Sequence, residues 1–424
     1  MSNDNDLTKS ITLDYENRLK AIFEDFHAHP ELSLAEFETA KKISTALKNH
    51  GFTVTENVGG TGVVALLKNG KGPLVMMRAD MDGLPLEEKT DLPYASKDKQ
   101  LDPVTGNVFP VMHACGHDVH ITALIGTAKQ MVDLKSEWSG TLMLIAQPAE
   151  ERVLGARNMM NDNLWERFGK PDYALAFHVS SMLPSGIVNV VDGSPYAGAD
   201  TVDIYVHGIG AHGASPHAGK DPIVLGSQIV NSLQTLVSRE LPPRQPGVVT
   251  VGAFHSGTKH NIISDMAHLQ LTVRNTNDKT RDTLLSGIKR ISENLGRAAG
   301  LPEDKLPEVV VSEESTPPTI NDTELANRLK NLWQEKMGIN RVTSYSSDGM
   351  GAEDFPFFTR DPHIPSVYFA VGGTNHDYFK AALDGSGPPI PSHHSPLFKI
   401  EPKPSVIAGV EATVHALVAL LSSD

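Results

Sequence analysis

Short apolar runs that lead directly to acidic or imidazole side chains constrain the fold of this chain more than any other feature. The runs cover residues 73–78, 141–146 and 173–177. Unbroken apolar runs of this length are typical of strands buried on both faces of a sheet. Open α/β sheets place their chemistry at the carboxyl ends of such strands. We therefore predict an α/β fold whose site gathers the polar residues that follow the runs: Asp80, Asp82, Glu150, Glu151 and His178.

A change of pattern near residue 199 indicates a second domain. From there the predicted elements run strand, helix, strand, strand, helix, strand, which is the order of a ferredoxin-like unit. They cover residues 201–208, 221–239, 247–255, 267–274, 279–299 and 308–311. Helical patterning resumes at 322–337. We predict a discontinuous larger domain of residues 1–198 and 312–424, with a mixed, mostly parallel sheet flanked by helices, and an inserted α+β domain of residues 199–311.

Length and charge exclude several functional classes. A chain of 424 residues favours two domains. The net charge of -14 argues against nucleic-acid binding. The single cysteine, Cys115, excludes an intramolecular disulfide. The polar, acidic N-terminus does not resemble a signal peptide, and apolar runs such as 140–146 are too short to span a bilayer. We expect a cytoplasmic enzyme that binds neither nucleic acid nor membrane.

The segment HACGHD, residues 113–118, places a thiol and two imidazoles within five positions at the start of a predicted helix. Thiolate and imidazole are good ligands for zinc and similar ions. Asp118 is suited to orient an imidazole. The alternative is a buried, inert cysteine among unrelated histidines.

Glu150 and Glu151 follow a predicted buried strand, where two adjacent carboxylates are costly unless their charge is compensated. In the functional interpretation one glutamate binds metal and the other takes a proton from water. The alternative is an exposed acidic loop. Non-functional alternatives exist for two histidines as well: His178 is then a structural residue of a strand, and His394 a solvated loop residue. Their occurrence together at successive sheet edges favours a metal site.

The predicted small domain carries its own polar groups. Residues 210–217 form a Gly-rich turn with two imidazoles, one of them His212. Asn261 offers an amide and Arg274 a guanidinium, which is suited to a bidentate grip on a carboxylate. The alternative for Arg274 is a surface salt bridge.

These motifs together resemble the hippurate hydrolase, N-acyl-amino-acid amidohydrolase and auxin-conjugate hydrolase branch of the co-catalytic metallopeptidase family that also holds aminoacylase and glutamate carboxypeptidase. The resemblance covers nearly the whole chain. It rests on ADMDGLPL (79–86), MHACGHDVH (112–120), QPAEE (147–151), FHV (177–179), GAHGASPHAGKDPI (210–223), GTKHNIISD (257–265), LTVR (271–274), MGAEDF (350–355) and HHSP (393–396).

The resemblance implies an amidohydrolase with two divalent metal ions (Zn, Mn, Co or Ni) and a small-molecule N-acyl amino acid as substrate. It implies that the larger domain is catalytic and that the inserted one is a lid that also forms a homodimer. By motif, Glu150 corresponds to the general base and Asp82 to the carboxylate that supports the metals. His212, Asn261 and Arg274 correspond to substrate-binding residues. The implied metal ligands are Cys115, shared between both ions, His117, Glu151, His178 and His394.

Three rival functions stay open. The first is a dipeptidase or carboxypeptidase of the same family, the second is hydrolytic deamination at the same centre, and the third is a non-catalytic binding module. The sequence also departs from the family pattern mildly at Ser264 and Ile262, and more strongly in the polar stretch 97–110, which is longer than in many members. This stretch weakens the transfer of any particular acyl specificity.

Overall fold

The apolar runs form the strands of two separate sheets in a computed structural model, which describes residues 4–346 and 349–422. The strands are β1 Thr53–Val58, β2 Gly62–Asn69, β3 Leu74–Asp80, β4 Lys99–Leu101, β5 Val108–Pro110, β6 Gly140–Gln147, β7 Tyr173–Pro184, β8 Val188–Asn189, β9 Gly198–His207, β10 Ala211–His212, β11 Gly247–Ser256, β12 Ile262–Ile263, β13 Met266–Asn275, β14 Glu308–Val311, β15 Val342–Thr343 and β16 Ser366–Thr374.

Helices flank the strands in alternation along much of the chain. They are α1 Asp4–Asp14, α2 Lys20–Ala28, α3 Phe37–Asn49, α4 His117–Asp133, α5 Gly155–Asn161, α6 Leu164–Phe168, α7 Pro222–Thr235, α8 Asp278–Ala298, α9 Thr323–Met337, α10 Pro356–Thr359, α11 His376–Leu383 and α12 Pro402–Leu421. The chain divides into two compact units. The first is Met1–Pro195, Ile320–Ser346 and Phe357–Asp424, and the second is Tyr196–Thr319 and Ser347–Pro356.

The large sheet of the first unit has the strand order β1-β2-β6-β3-β7-β16-β8-β15. At its centre β3 pairs in parallel with both β6 and β7, and β7 pairs in parallel with β16. The outer strands β1 and β2 and the β16–β8 pair are antiparallel. The predicted α/β class with a mixed sheet is therefore confirmed. Because the central strands are parallel, their carboxyl ends meet at one edge of the sheet.

Helices α4 and α12 bury the central strands. Nearly every residue of α4 is buried, and α12 lies against α4, α9 and β16. Among the described residues, α12 is one helix long and apolar enough to cross a membrane by those two criteria alone, but 78% of its apolar window is buried inside the structure. A core helix has the same composition, so the apolar character of α12 is explained by its packing.

The second unit contains a four-stranded antiparallel sheet, in the described part of the chain, with the order β11-β13-β9-β14. Helices α7 and α8 pack against it through a separate apolar core that includes Val202, Ile204, Ile229, Leu284 and Ile288. The element order and the pairing are those of a ferredoxin-like βαββαβ unit.

Two local predictions were wrong. Strand β7 does not end at His178 but continues to Pro184, because β16 pairs with it beyond that point. The polar residues that follow Phe177 hid this continuation in the sequence. The second concerns residues 91–110, whose Asp, Pro and Gly content predicts a loop but which contain the hairpin β4–β5, with Leu101 paired to Val108.

Candidate metal centre

Cys115 and His117 stand at the start of α4, in a turn whose shape depends on Gly116. Gly116 has φ +88°, and a Cβ at this position would lie 2.3 Å from Cγ1 of Val179. Only glycine fits this left-handed position without displacing its neighbour. The turn therefore places the thiol and the imidazole beside β7, where His178 is located.

Glu150 and Glu151 lie in a 3₁₀ turn directly after β6. The turn is flanked by Ala149 at φ +49° and Val153 at φ +57°, both in the left-handed region. Such a conformation is strained for a β-branched residue and persists only where the surroundings enforce it. The backbone thus turns both carboxylates toward the edge of the sheet.

His394 belongs to a loop far along the chain and also has a left-handed φ of +65°. Its backbone N–H donates to the Ala114 carbonyl at 2.9 Å, which fastens the loop next to Cys115. Its Nε2 lies 3.3 Å from Oε2 of Glu151. The neighbouring His393 approaches Cys115 as well, with 3.8 Å between Nδ1 and Sγ.

The five side chains that the motifs single out as ligands form two donor sets that share Cys115. The first set is Cys115, His117 and His178, and the second is Cys115, Glu151 and His394. Within each set the donor atoms lie within 4.8 Å of one another. The Cys115 Sγ to His178 Nε2 distance is 3.4 Å. Each set offers three ligands of the kinds that zinc and similar ions accept.

Hydrogen bonds at the outer ring nitrogens orient the two buried imidazoles. Nδ1 of His117 lies 2.8 Å from the Asp82 carbonyl, and Nδ1 of His178 lies 2.7 Å from the Val179 carbonyl. With Nδ1–H donating, each Nε2 lone pair faces the cluster. Nε2 of His117 and Oε1 of Glu151 are buried without a hydrogen-bond partner among the described residues. Buried polar atoms are rarely left unsatisfied, so these donor atoms fit a metal ion.

His120 lies close to this cluster but is already satisfied. Its Nδ1 binds Asp80, and its Nε2 accepts the backbone N–H of Val179 at 2.9 Å. Asp80 in turn accepts Nη1 of the fully buried Arg78 at 2.6 Å. The sequence did not single out His120 and Arg78, because nothing in their spacing distinguishes them from core residues. They support the site from beneath.

Protonation states reflect an excess of negative charge in the cluster. Burial, Glu151 and Glu150 raise the pKa of the Cys115 thiol well above its usual range. Burial alone would lower the pKa of His117, but the charges of Asp80 and Asp82 raise it to about 10. Burial holds the pKa of His178 well below its usual range, so that imidazole is neutral. A bound divalent cation would stabilise the thiolate of Cys115 and displace the extra proton of His117.

A second buried network lies behind α4 and was also missed by sequence. His27 binds Asp118 through Nδ1 at 2.7 Å and Glu88 through Nε2 at 3.0 Å. Burial alone would lower the pKa of His27, but these two carboxylates raise it to about 9. A charged imidazolium therefore joins α2 to the first turn of α4, next to His117.

The three substrate-binding residues suggested by the motifs lie in the second unit. His212 is exposed on β10, and its Nδ1 accepts the N–H of Ala214 at 3.0 Å. The Asn261 carbonyl accepts the N–H of Gly213 at 2.8 Å, so the structure places Asn261 beside His212. Arg274 lies on β13, half-buried, with Nη1 2.6 Å from the Thr272 hydroxyl.

A mixed α/β sheet with cysteine, histidine and glutamate donors at its carboxyl edge defines a metal-dependent hydrolase. The model of peptidase family M20/M25/M40 matches residues 76–382, and the chain belongs to this family. The chain is 34% identical over 420 residues to thermostable carboxypeptidase 1 of Saccharolobus solfataricus, which covers 98% of each chain. It is 36% identical over 347 residues to hippurate hydrolase of Campylobacter jejuni, covering 82% of this chain and 86% of that one.

A solved structure extends the comparison to the metals. The Bacillus subtilis YXEP protein, a dinuclear metal-binding peptidase from the M20 family, superposes with a TM-score of 0.77. It is 28% identical and covers 97% of this chain and 99% of its own. The chain is thus a hydrolase of amide bonds that uses two divalent metal ions.

Metal binding is expected to release protons. Because Cys115 and His117 both carry a proton at neutral pH before an ion binds, uptake of Mn²⁺ should expel about two protons per chain, and the apparent affinity should rise with pH. Calorimetric titration in buffers of different ionisation enthalpy measures this number. Uptake without proton release would contradict these protonation states.

The His27 network predicts a pH-dependent contribution to stability. The folded-state pKa of about 9 lies above the ordinary value of 6.5, so the contribution is complete below pH 6.5 and is lost as the pH rises through 9. The wild type should exceed His27→Gln in free energy of urea unfolding by roughly 2–3 kcal/mol more at pH 6 than at pH 10. The same difference at both values of pH would rule out a charged His27.

Proposed function

We propose that this chain hydrolyses the amide bond of N-acyl or N-aroyl amino acids. The observation that carries the proposal is the pair of three-ligand sets that meet at Cys115 Sγ with a second carboxylate, Glu150, beside them. Three protein ligands for each ion leave coordination positions for water and substrate. The proposed ligands are Cys115, His117, Glu151, His178 and His394.

When bound, the metal ions would supply Lewis acidity, which polarises the amide carbonyl and lowers the pKa of bound water to about 7. The remaining steps belong to side chains. Oε2 of Glu150 lies 3.9 Å from Nε2 of His117, so its carboxylate lies beside the donor atoms of the first set. In this position Glu150 takes a proton from the attacking water and delivers it to the leaving amine nitrogen.

Asp82 supports the arrangement without being a ligand. Its carboxylate accepts the Ser33 hydroxyl at 2.6 Å and the Glu151 backbone N–H at 3.0 Å, while its carbonyl holds His117. One residue therefore orients a ligand from each donor set.

Residues of the second unit are proposed to recognise the amino-acid half of the substrate. Arg274 is suited to bind the free carboxylate of the substrate, and we assign the same role to Asn261. His212 stabilises the oxyanion or the carboxylate, reaching across a homodimer formed through this lid domain. In the part of the chain that the structure describes, strand β11 lies at one edge of its sheet, and an edge of this kind supports the proposal of a two-fold interface. A cytoplasmic location completes the proposal.

A carboxypeptidase or dipeptidase activity is the second candidate. It is favoured by the similarity to a thermostable carboxypeptidase along nearly the whole chain. A peptide substrate and an N-acyl amino acid share the scissile amide and the free carboxylate, so the same metal centre serves both. The two candidates differ only in the group that lies on the acyl side.

A substrate panel separates these candidates. We expect chelator-sensitive release of amino acid from N-acetyl, N-benzoyl or indole-acetyl conjugates, restored by Mn²⁺ or Zn²⁺. Cleavage of simple dipeptides alone would assign the chain to the peptidases instead. No cleavage of either set by protein that binds two ions would contradict the proposed function.

The role of Glu150 is tested by Glu150→Gln. This variant should bind both ions and lose at least roughly 100-fold in kcat, because the amide cannot accept the proton. Glu411→Gln is the control, since Glu411 is also buried but lies on α12. Wild-type turnover by Glu150→Gln, or loss of the ions, would show that Glu150 is not the base.

A further inference from the structure

The 3₁₀ turn that carries Glu150 and Glu151 is strained at both ends and therefore depends on outside contacts. Its flanking residues Ala149 and Val153 occupy left-handed backbone positions without being glycine. Strained backbone at a functional site persists only when the surrounding structure over-determines it. The groups that grip this turn are thus of functional interest.

Glu36 binds the backbone at the start of the turn. It is fully buried, and its Oε1 accepts the Ala149 backbone N–H at 2.8 Å and the Leu34 N–H at 3.0 Å. Its other oxygen accepts the Thr61 hydroxyl. Both oxygens are therefore engaged, and the carboxylate ties the loop before α3 to the strained Ala149.

Asp102 forms an ion pair with Arg152 at the end of the turn. Its Oδ1 accepts Nη2 of Arg152 at 2.8 Å and the Val104 N–H at 3.0 Å, and Oδ2 accepts the Thr105 hydroxyl at 2.9 Å. The carboxylate is buried and is fixed by its own hairpin, β4–β5. Arg152 directly follows Glu151, so the hairpin holds the turn through this ion pair.

Gln100 connects the segment that carries Glu36 with the hairpin that carries Asp102. Its Oε1 accepts the Leu32 N–H at 2.5 Å, and its Nε2 donates to the Ala35 carbonyl at 2.9 Å. The hairpin is thereby fastened to the same loop that carries Glu36. Hairpin, loop and turn form a closed ring of contacts around the two catalytic-site glutamates.

We propose that Glu36 and the Asp102–Arg152 pair are positioning residues that hold Glu150 and Glu151 in reactive geometry. The stretch 97–110, which departs from the family pattern, then supports the metal centre through the contact of Asp102 with Arg152. A misplacement of catalytic groups by about 1 Å can reduce turnover by roughly 100-fold. Loss of the Glu36 contacts or of the Asp102–Arg152 pair should therefore affect kcat more than KM. The proposal rests on the proposed function only for its kinetic readout.

The test compares Arg152→Ala, Asp102→Asn and their double variant with the wild-type holoenzyme. Each single variant should lose roughly 10- to 100-fold in kcat with little change in KM, and the double variant should lose no more than the worse single one. Arg152→Lys, which keeps the ion pair, should recover part of the loss. Glu36→Ala should likewise have a lower kcat than the wild type. Glu36→Gln, which keeps an acceptor for the Ala149 N–H, should retain most of the wild-type kcat.

Arg341→Ala is the matched control. Arg341 lies 2.8 Å from the buried Glu411 and is 33% exposed, against 28% for Arg152 at the same distance from Asp102. It should lose similar stability and keep the wild-type kcat. Equal kcat values for Arg152→Ala and Arg341→Ala, or additive losses in the double variant, would overturn the proposal.

A readout independent of substrate separates this proposal from the proposed function. The visible absorption spectrum of the Co²⁺-loaded protein reports the geometry of ligands, including Glu151. Arg152→Ala and Glu36→Ala should change this spectrum and weaken one of the two Co²⁺ sites, even if no substrate of the panel is cleaved. Spectra and affinities identical to those of the wild type would overturn the positioning role whatever the substrate.

Discussion

Mutual repulsion among buried acidic groups at one edge of the large sheet is the constraint on which the rest of the structure depends. Asp80, Asp82 and Glu150 are all buried there within a few residues of strand ends. Arg78 neutralises Asp80 directly. Taking such charges out of water is costly unless cations accompany them. Two divalent ions at this edge would remove that cost, and the proposed ligand sets that share the Cys115 sulfur would hold them.

The protein positions these groups by layers of support. Parallel strands bring the carboxyl ends together, Gly116 lets the thiol turn approach β7, and left-handed residues aim the glutamates. Behind them His120 and the His27 network fix the helix that begins at His117. The contacts of His120 and His27 are hydrogen bonds to a backbone group or to a charged partner. Rigidity at the site therefore comes from contacts distributed over distant parts of the sequence.

The sequence predicted the fold class and most elements closely because buried strands and amphipathic helices have distinct apolar periods. The residues 308–311 were predicted as a strand and form β14. It could not predict the continuation of β7 past His178, since pairing with β16 overrides the polar residues there. The hairpin β4–β5 was missed for a similar reason, because its strands are short and exposed.

The metal-site motifs were visible as residue types at strand ends, but their supports were not. Glu36 and His27 lie far from the motifs in sequence, Asp102 lies in the polar stretch 97–110, and an isolated charged residue is usually a surface residue. Only the folded chain shows that each is buried against a segment that carries the site.

The most direct test of a metal centre shared through one thiolate is anomalous diffraction from crystals of the protein loaded with Mn²⁺. Two anomalous peaks about 3.5–4 Å apart, on either side of Cys115 Sγ, are the predicted result. One should lie near His117 and His178, and the other near Glu151 and His394. A single peak, or two peaks without the sulfur between them, would contradict the account.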